Sequence, residues 1–152
     1  MAAFSGEKDL QDFLKFHLER EWGRRVEARV KLPGLHLPDI DLLVVGTPLL
    51  AVETKYVKRQ RNVPYLGLDE ALALLLYGVD RAYLLHAFDE HVETGELLEL
   101  SQLLLSTVPI GYMVLGDEGR PVVLKEAPPN PLLGSPVARR NRALLTERLR
   151  GA

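Results

Sequence analysis

The segment LPDIDLLVVGTPLLAVETKYVK, residues 37–58, sets acids and a lysine among residues that otherwise belong in a core. It reads as two strands, 39–45 and 49–57, joined by a turn at Gly46-Thr47-Pro48. Period-two alternation puts Ile40, Leu42 and Val44 on one face of the first strand, and Asp39, Asp41, Leu43 and Val45 on the other. In the second strand Glu53 and Lys55 share a face with Leu49 and Ala51. Apolar residues on both faces mark strands buried on both sides, where an uncompensated charge is costly. A hairpin about that turn brings Asp41 and Glu53 to the open ends of adjacent antiparallel strands, where both can converge on one cation. Carboxylate oxygens with water are the ligands Mg2+ or Mn2+ prefers. Lys55, one pleat away, can orient or deprotonate an attacking water, or steady charge on a phosphate. Asp39 is a second ligand or a loop partner. An internal ion-pair network of Asp41, Glu53 and Lys55 is the structural alternative.

The elements that must hold these residues are legible in the pattern. Residues 5–22 form an amphipathic helix with Leu10, Phe13, Leu14, Leu18 and Trp22 on its stripe, Ser5 as cap and Gly23 as stop. Glu7 precedes Leu10 and Leu14 by three and seven residues, so it lies on the inward face at the helix start, either as a further ligand or as a first-turn acid favoured by the helix dipole. A strand is expected over 26–32, a second helix over 66–79, and a strand over 81–87. A third helix is expected over 90–105 and a hairpin of 110–115 with 121–125. Because the second and third strands share a tight turn, the order predicts an α/β fold with a mixed sheet. One domain spans 1–126, a proline-rich connector 127–136, and a basic amphipathic helix 137–152. In that last helix Leu144, Leu145 and Leu149 form a seam that favours docking or dimerisation over lying along DNA.

Pro38-Asp39, Ile40-Asp41-Leu42 and Glu53-Thr54-Lys55 together resemble the PD-(D/E)XK nuclease signature, an Asp followed on the next strand by (Asp/Glu)-x-Lys. Helix, three-strand meander, helix and strand is that superfamily's restriction-endonuclease-like core. Glu7, Asp41-Leu42-Leu43 and Val52-Glu53-Thr54-Lys55 are most similar to archaeal Holliday-junction resolvases and related small endonucleases, over about residues 5–88. Either Asp39 or Asp41 can be the signature acid; the spacing to Glu53 favours Asp41. The resemblance implies a Mg2+- or Mn2+-dependent endonuclease acting on DNA, including four-way junctions. It further implies Asp41, Glu53 and Lys55 as catalytic groups, Glu7 and Asp39 as additional metal ligands, and a homodimer. A relative that keeps the fold without cleaving is the alternative. The start of the second helix, DEALALLLYG, is more acidic than a DNA-facing helix should be.

Composition narrows the field. The 152 residues have no cysteine, which excludes disulfides, thiolate metal sites and a thiol nucleophile. No apolar run approaches a membrane span, and charges occupy the start where a signal peptide needs apolar residues, so a soluble, cytoplasmic protein is expected. Few Gln and Asn against thirteen Arg suggest a heat-adapted source. The net charge of -2 conceals a basic run, KYVKRQR at 55–61, beyond the third strand. Lys58, Arg59 and Arg61 can meet a phosphodiester backbone or remain a solvated loop, and Tyr65 can stack or bond phosphate. Tyr56 faces the core. His17, His36, His86 and His91 are scattered, and His86 on a core strand reads as a packed histidine. No phosphate-binding glycine loop, Ser-His-Asp arrangement or dinucleotide fingerprint is present.

Overall fold

A computed structural model describes residues 4–59, 63–116 and 119–151. Helix α1 (Glu7–Trp22) is followed by strands β1 (Val26–Val30), β2 (Ile40–Val44) and β3 (Leu50–Val57). Helix α2 (Leu68–Ala73) runs directly into a 3-10 segment (Leu74–Tyr77) before β4 (Arg81–Phe88). Then come α3 (Gly95–Leu105), β5 (Gly111–Leu115), β6 (Pro121–Lys125) and α4 (Pro136–Arg150). The expected mixed α/β class holds: the six strands form one sheet in chain order. β1, β2 and β3 pair antiparallel, β3, β4 and β5 pair parallel, and β6 returns antiparallel. The site strands therefore sit inside the sheet, each hydrogen-bonded on both edges. Among the described residues no helix is long and apolar enough to cross a membrane.

Two cores separate the layers. On one face α1 buries Leu10, Leu14 and Leu18 against Leu42, Val44, Leu50, Val52 and Leu85. On the other, Ala71, Leu74, Leu105 and Leu145 from the remaining helices cover Leu43, Ala51, Ala82 and Leu84. Burying a leucine completely stabilises by about 1.5–3 kcal/mol, so these two stripes hold the sheet between its helices.

Several expected details are corrected. Ile40 does not share the face of Leu42 and Val44, but packs with Leu43 in the opposite core. The neighbouring strand changes face in the same place, Val26 and Ala28 to one side and Val30 to the other, with Arg29 between them at φ 52. That left-handed residue breaks the pleat of β1 opposite Asp41, and strict alternation fails there. Ser5 does not cap α1; Gly6 holds the cap position, and the Ser5 N–H donates to Asp9 Oδ2 at 3.1 Å. The second helix is shorter than 66–79 because Gly67, at φ 84, starts it and it tightens to 3-10 geometry after Ala73. The third helix begins at Gly95, since 89–94 are held as a turn in which Asp89 Oδ1 accepts the His91 N–H.

The proline-rich stretch is packed into the body. The Asn130 side chain, almost fully buried, donates to the carbonyls of Leu75 and Val79, each at 2.8 Å, and its Oδ1 accepts from Leu132 N. The next turn presents Ser135 as the cap of α4, with Pro136 behind it. The helix docks by Ala138, Asn141 and Leu145, whereas Leu144, expected in the seam, is exposed. Arg142 locks it to Asp80 at 2.8 and 3.2 Å. This buttress supports the 3-10 segment, and through it the end of α2 that reaches the candidate site.

Candidate functional site

The β2–β3 register pairs Leu42 with Val52 and Val44 with Leu50. One residue beyond the last pair, Asp41 comes opposite Glu53. The ladder stops there because the Asp41 side chain takes over: its Oδ2 accepts the backbone N–H of Thr54 at 2.8 Å and the Thr54 hydroxyl at 3.0 Å. On the α2 side of β3, Glu53 and Lys55 follow Leu49 and Ala51, as alternation requires. Glu53 is 1% exposed, and its Oε1 has no hydrogen-bond partner. Its Oε2 lies 3.8 Å from Lys55 Nζ. Lys55 also reaches Glu7 Oε1 at 3.9 Å and, closest of all, Glu70 Oε1 at 2.8 Å. Gly67 makes the space for this: a Cβ there would stand 2.7 Å from Lys55 Cγ.

The electrostatics follow from gathering four carboxylates around one ammonium, with Glu53 buried and Glu7 and Glu70 at the rim. Burial, reinforced by the charges of Asp41 and Glu70, pushes the Glu53 carboxyl up to about 10. Burial also raises Asp41, against the opposing hydrogen bonds from Thr54 and Glu53. Glu7, at the rim, is raised by partial burial, with the Lys55 charge pulling the other way. For Lys55 burial alone would favour the neutral amine; the hydrogen bond to Glu70 and the charges of Glu7 and Glu53 outweigh it, so the group stays an ammonium. One ammonium cannot balance four carboxylates, and a proton retained on Glu53 lessens the negative charge that remains.

Glu7, Asp41, Glu53 and Lys55 are thus brought together from α1, β2 and β3. Asp39 is not: it is exposed and pairs with Lys31 at 3.6 Å. Lys58 stands over the Tyr56 ring at 5.3 Å, and its charge reaches Glu7. Arg59 is exposed at the end of β3, and Tyr65 is exposed in the turn ahead of α2. Arg61 lies outside the described residues. Tyr56 packs in the core and donates to Asp89 Oδ2 at 2.8 Å. His86 is a packed histidine: its Nε2–H donates to Leu66 O and its Nδ1 accepts from Tyr112 OH, each at 2.8 Å.

Glu70 is the member that sequence reasoning missed. It was legible in one way: a lysine on a buried strand requires a counter-ion, and Asp69-Glu70 opens the helix next in line. The donor set suits a hard divalent cation, since two carboxylates meet on adjacent strands and one buried oxygen, Glu53 Oε1, is unsatisfied. Among the described residues no three His, Asp or Glu side chains already converge as a metal-ligating group. A third ligand requires Glu7 or Glu70 to turn from Lys55.

Comparison with known proteins adds the fold and little more. No family model matches the chain, and no curated protein matches it. SfsA of Pyrococcus furiosus, solved in complex with Ca2+, is 18% identical at a TM-score of 0.37, covering 80% of this chain and 62% of that one. SPO1766 from Silicibacter pomeroyi, a protein of unknown function, is similar over 99% of this chain and 92% of its own, at 17% identity and a TM-score of 0.52. At that identity the likeness shows a shared mixed α/β architecture, carried through the full length including α4.

Proposed function

We propose that this chain is a divalent-metal-dependent endonuclease of PD-(D/E)XK type that hydrolyses DNA phosphodiester bonds, with branched DNA such as a four-way junction as its substrate. The observation that carries the reading is Glu53: a carboxyl with 1% exposure, one oxygen unsatisfied, set across from Asp41 and beside Lys55. A core position does not hold such a group without a compensating charge. The element order supports the same reading, because helix, three antiparallel strands, helix and parallel strand is the restriction-endonuclease-like arrangement that the motif implies.

Asp41 and Glu53 would hold Mg2+ or Mn2+, with Glu7 as the assisting carboxylate. When bound, the ion supplies Lewis acidity toward a phosphate oxygen and makes water a stronger nucleophile. Lys55, kept as an ammonium by its carboxylate neighbours, donates hydrogen bonds to the attacking water and to the phosphate on which charge builds. It orients rather than deprotonates while Glu70 holds it. Lys58 and Arg59 would extend positive charge from the end of β3 along the backbone of the substrate, and Arg61, next in the same basic run of the sequence, would add to it. Two symmetric scissile strands of a junction call for two copies of the site, hence a homodimer.

One observation favours a second reading, a module that binds nucleic acid without cleaving it or serves as a structural subunit. Lys55 is closest to Glu70, not to Glu53, which is the contact an internal ion-pair network would make. The deciding experiment offers labelled duplex, single-stranded, flap and four-way-junction DNA in Mg2+, Mn2+ or EDTA, with Glu53→Ala alongside. Paired symmetric cuts on the junction that vanish in EDTA and in the variant are expected. Cuts on the other substrates alone would keep the nuclease and remove the junction; binding without any cleavage would establish the second reading.

A further inference from the structure

Helix α1 buries four residues against the sheet, and one of them, Gln11, is polar. It is 5% exposed and lies between Leu10 and Leu14 on a face where leucine would serve packing alone. A buried amide is retained without penalty only when both its ends are bonded. Here both are. Arg29 Nη1 donates to Gln11 Oε1 at 3.1 Å, and Gln11 Nε2 donates to Thr54 Oγ1 at 3.3 Å. Arg29 is fixed in turn by Asp12, with Nη2 at 2.8 Å from Oδ1, and by its own left-handed backbone opposite Asp41.

The chemistry of the donors gives this chain one direction. A guanidinium has no acceptor, so the atom of Gln11 facing Arg29 must be the oxygen, and the amide nitrogen must face Thr54. The Thr54 hydroxyl therefore accepts from Gln11, and its single proton is left for Asp41. With the Thr54 N–H, two donors then converge on one oxygen, Asp41 Oδ2, and Oδ1 is the oxygen that Thr54 leaves to the Glu53 side of the site.

Resting on the reading of Asp41 as a cation ligand, we infer that Gln11, oriented by Arg29, is a positioning residue that sets the Asp41 carboxylate through the Thr54 hydroxyl. Partners behind a metal ligand typically change affinity about 10- to 100-fold when removed. Gln11→Glu is the informative variant. It preserves size and the acceptor for Arg29, but replaces the donor facing Thr54 with a second acceptor that competes with Asp41 for the one hydroxyl proton. Gln11→Met keeps the volume and removes both bonds.

The test is Mn2+ titration by calorimetry on the unaltered protein and both variants, with melting in EDTA as the control for folding. Both variants are expected to bind Mn2+ about tenfold more weakly, Gln11→Glu with a melting temperature close to that of the unaltered protein. Equal Mn2+ affinity in Gln11→Glu and the unaltered protein would overturn the inference. Absence of Mn2+ binding to the unaltered protein would overturn the cation site itself. Exchange of the Thr54 amide proton then decides the relay alone: faster exchange in Gln11→Glu supports it, and unchanged exchange refutes it.

Discussion

Replacing Glu53 by glutamine should stabilise the cation-free protein. In the unfolded chain Glu53 ionises near 4.5, whereas the fold retains its proton up to about 10. Between those values the native state binds more protons than the unfolded state, so this group's contribution is fully favourable below about pH 4.5 and is lost as pH rises. At about 1.4 kcal/mol per pH unit, the interval from 4.5 to 7 amounts to roughly 3 kcal/mol of lost stability at neutral pH. Glutamine has nearly the same shape and no ionised form to favour unfolding, and its amide can donate to Asp41. Allowing for an imperfectly satisfied amide, Glu53→Gln should be more stable in EDTA at pH 7 by about 1–3 kcal/mol, or roughly 3–8 °C in melting temperature for a chain of this length. The gain should grow at pH 8.5 and shrink at pH 5.5. Thermal melts followed by circular dichroism at the three pH values read it directly. Adding Mn2+ should then raise the melting temperature of the unaltered protein and leave the variant unmoved. A lower melting temperature for Glu53→Gln in EDTA at pH 7 would refute the reasoning, because it would mean that an ionised Glu53 pairs with Lys55 as part of the framework.

Other parts of the structure give further expectations. Gly67→Ala should destabilise by about 1–3 kcal/mol and slow cleavage, because φ 84 disfavours a side chain and its Cβ would press on Lys55 Cγ at 2.7 Å; equal melting and equal cleavage would discount the packing of Lys55 against this turn. Asn130→Ala should cost about 2–3 kcal/mol in urea unfolding, since it strips two buried carbonyls of their donor; a change within 0.5 kcal/mol, about the scatter of surface substitutions, would show these two bonds to be dispensable. Burial holds the His86 ring below its ordinary value, so the unfolded chain takes up the proton first and the contribution of His86 is present above about pH 6.5 and lost on acidification. The stability advantage of the unaltered protein over His86→Asn should therefore narrow from pH 7.5 to 5.5, and a constant difference would contradict the neutral buried ring.

How much of this was readable from the residues can be judged element by element. The site strands were, since Asp41 and Glu53 interrupt apolar alternation and the Gly46-Thr47-Pro48 turn fixes which residues face each other. Glu7 was placed by its spacing to Leu10 and Leu14 and does reach Lys55. Three things were not legible, each for a physical reason. The left-handed Arg29 occupies a conformation that carries no local sequence signal in a non-glycine residue, so the change of face at Ile40 stayed hidden. The apolar spacing of 66–79 continues through the point where the second helix tightens to 3-10 geometry after Ala73, and the packing of Gly78 beneath α4 joins segments about sixty residues apart. Glu70 was read as an acid in the wrong place for DNA, whereas three-dimensional proximity makes it the tightest partner of Lys55. Asp39 shows the reverse error: the right residue type beside the right strand, but facing Lys31 and solvent.

The central claim, that Asp41, Glu53 and Lys55 form a cation-dependent hydrolytic centre, is tested most directly by incubating supercoiled circular DNA with the protein in Mg2+ and in EDTA, with Asp41→Asn in parallel. The account predicts nicked and then linear circles in Mg2+, intact circles in EDTA, and intact circles with the folded variant. Circles that remain supercoiled with the unaltered protein in both Mg2+ and Mn2+, or that are nicked equally by Asp41→Asn, would contradict it.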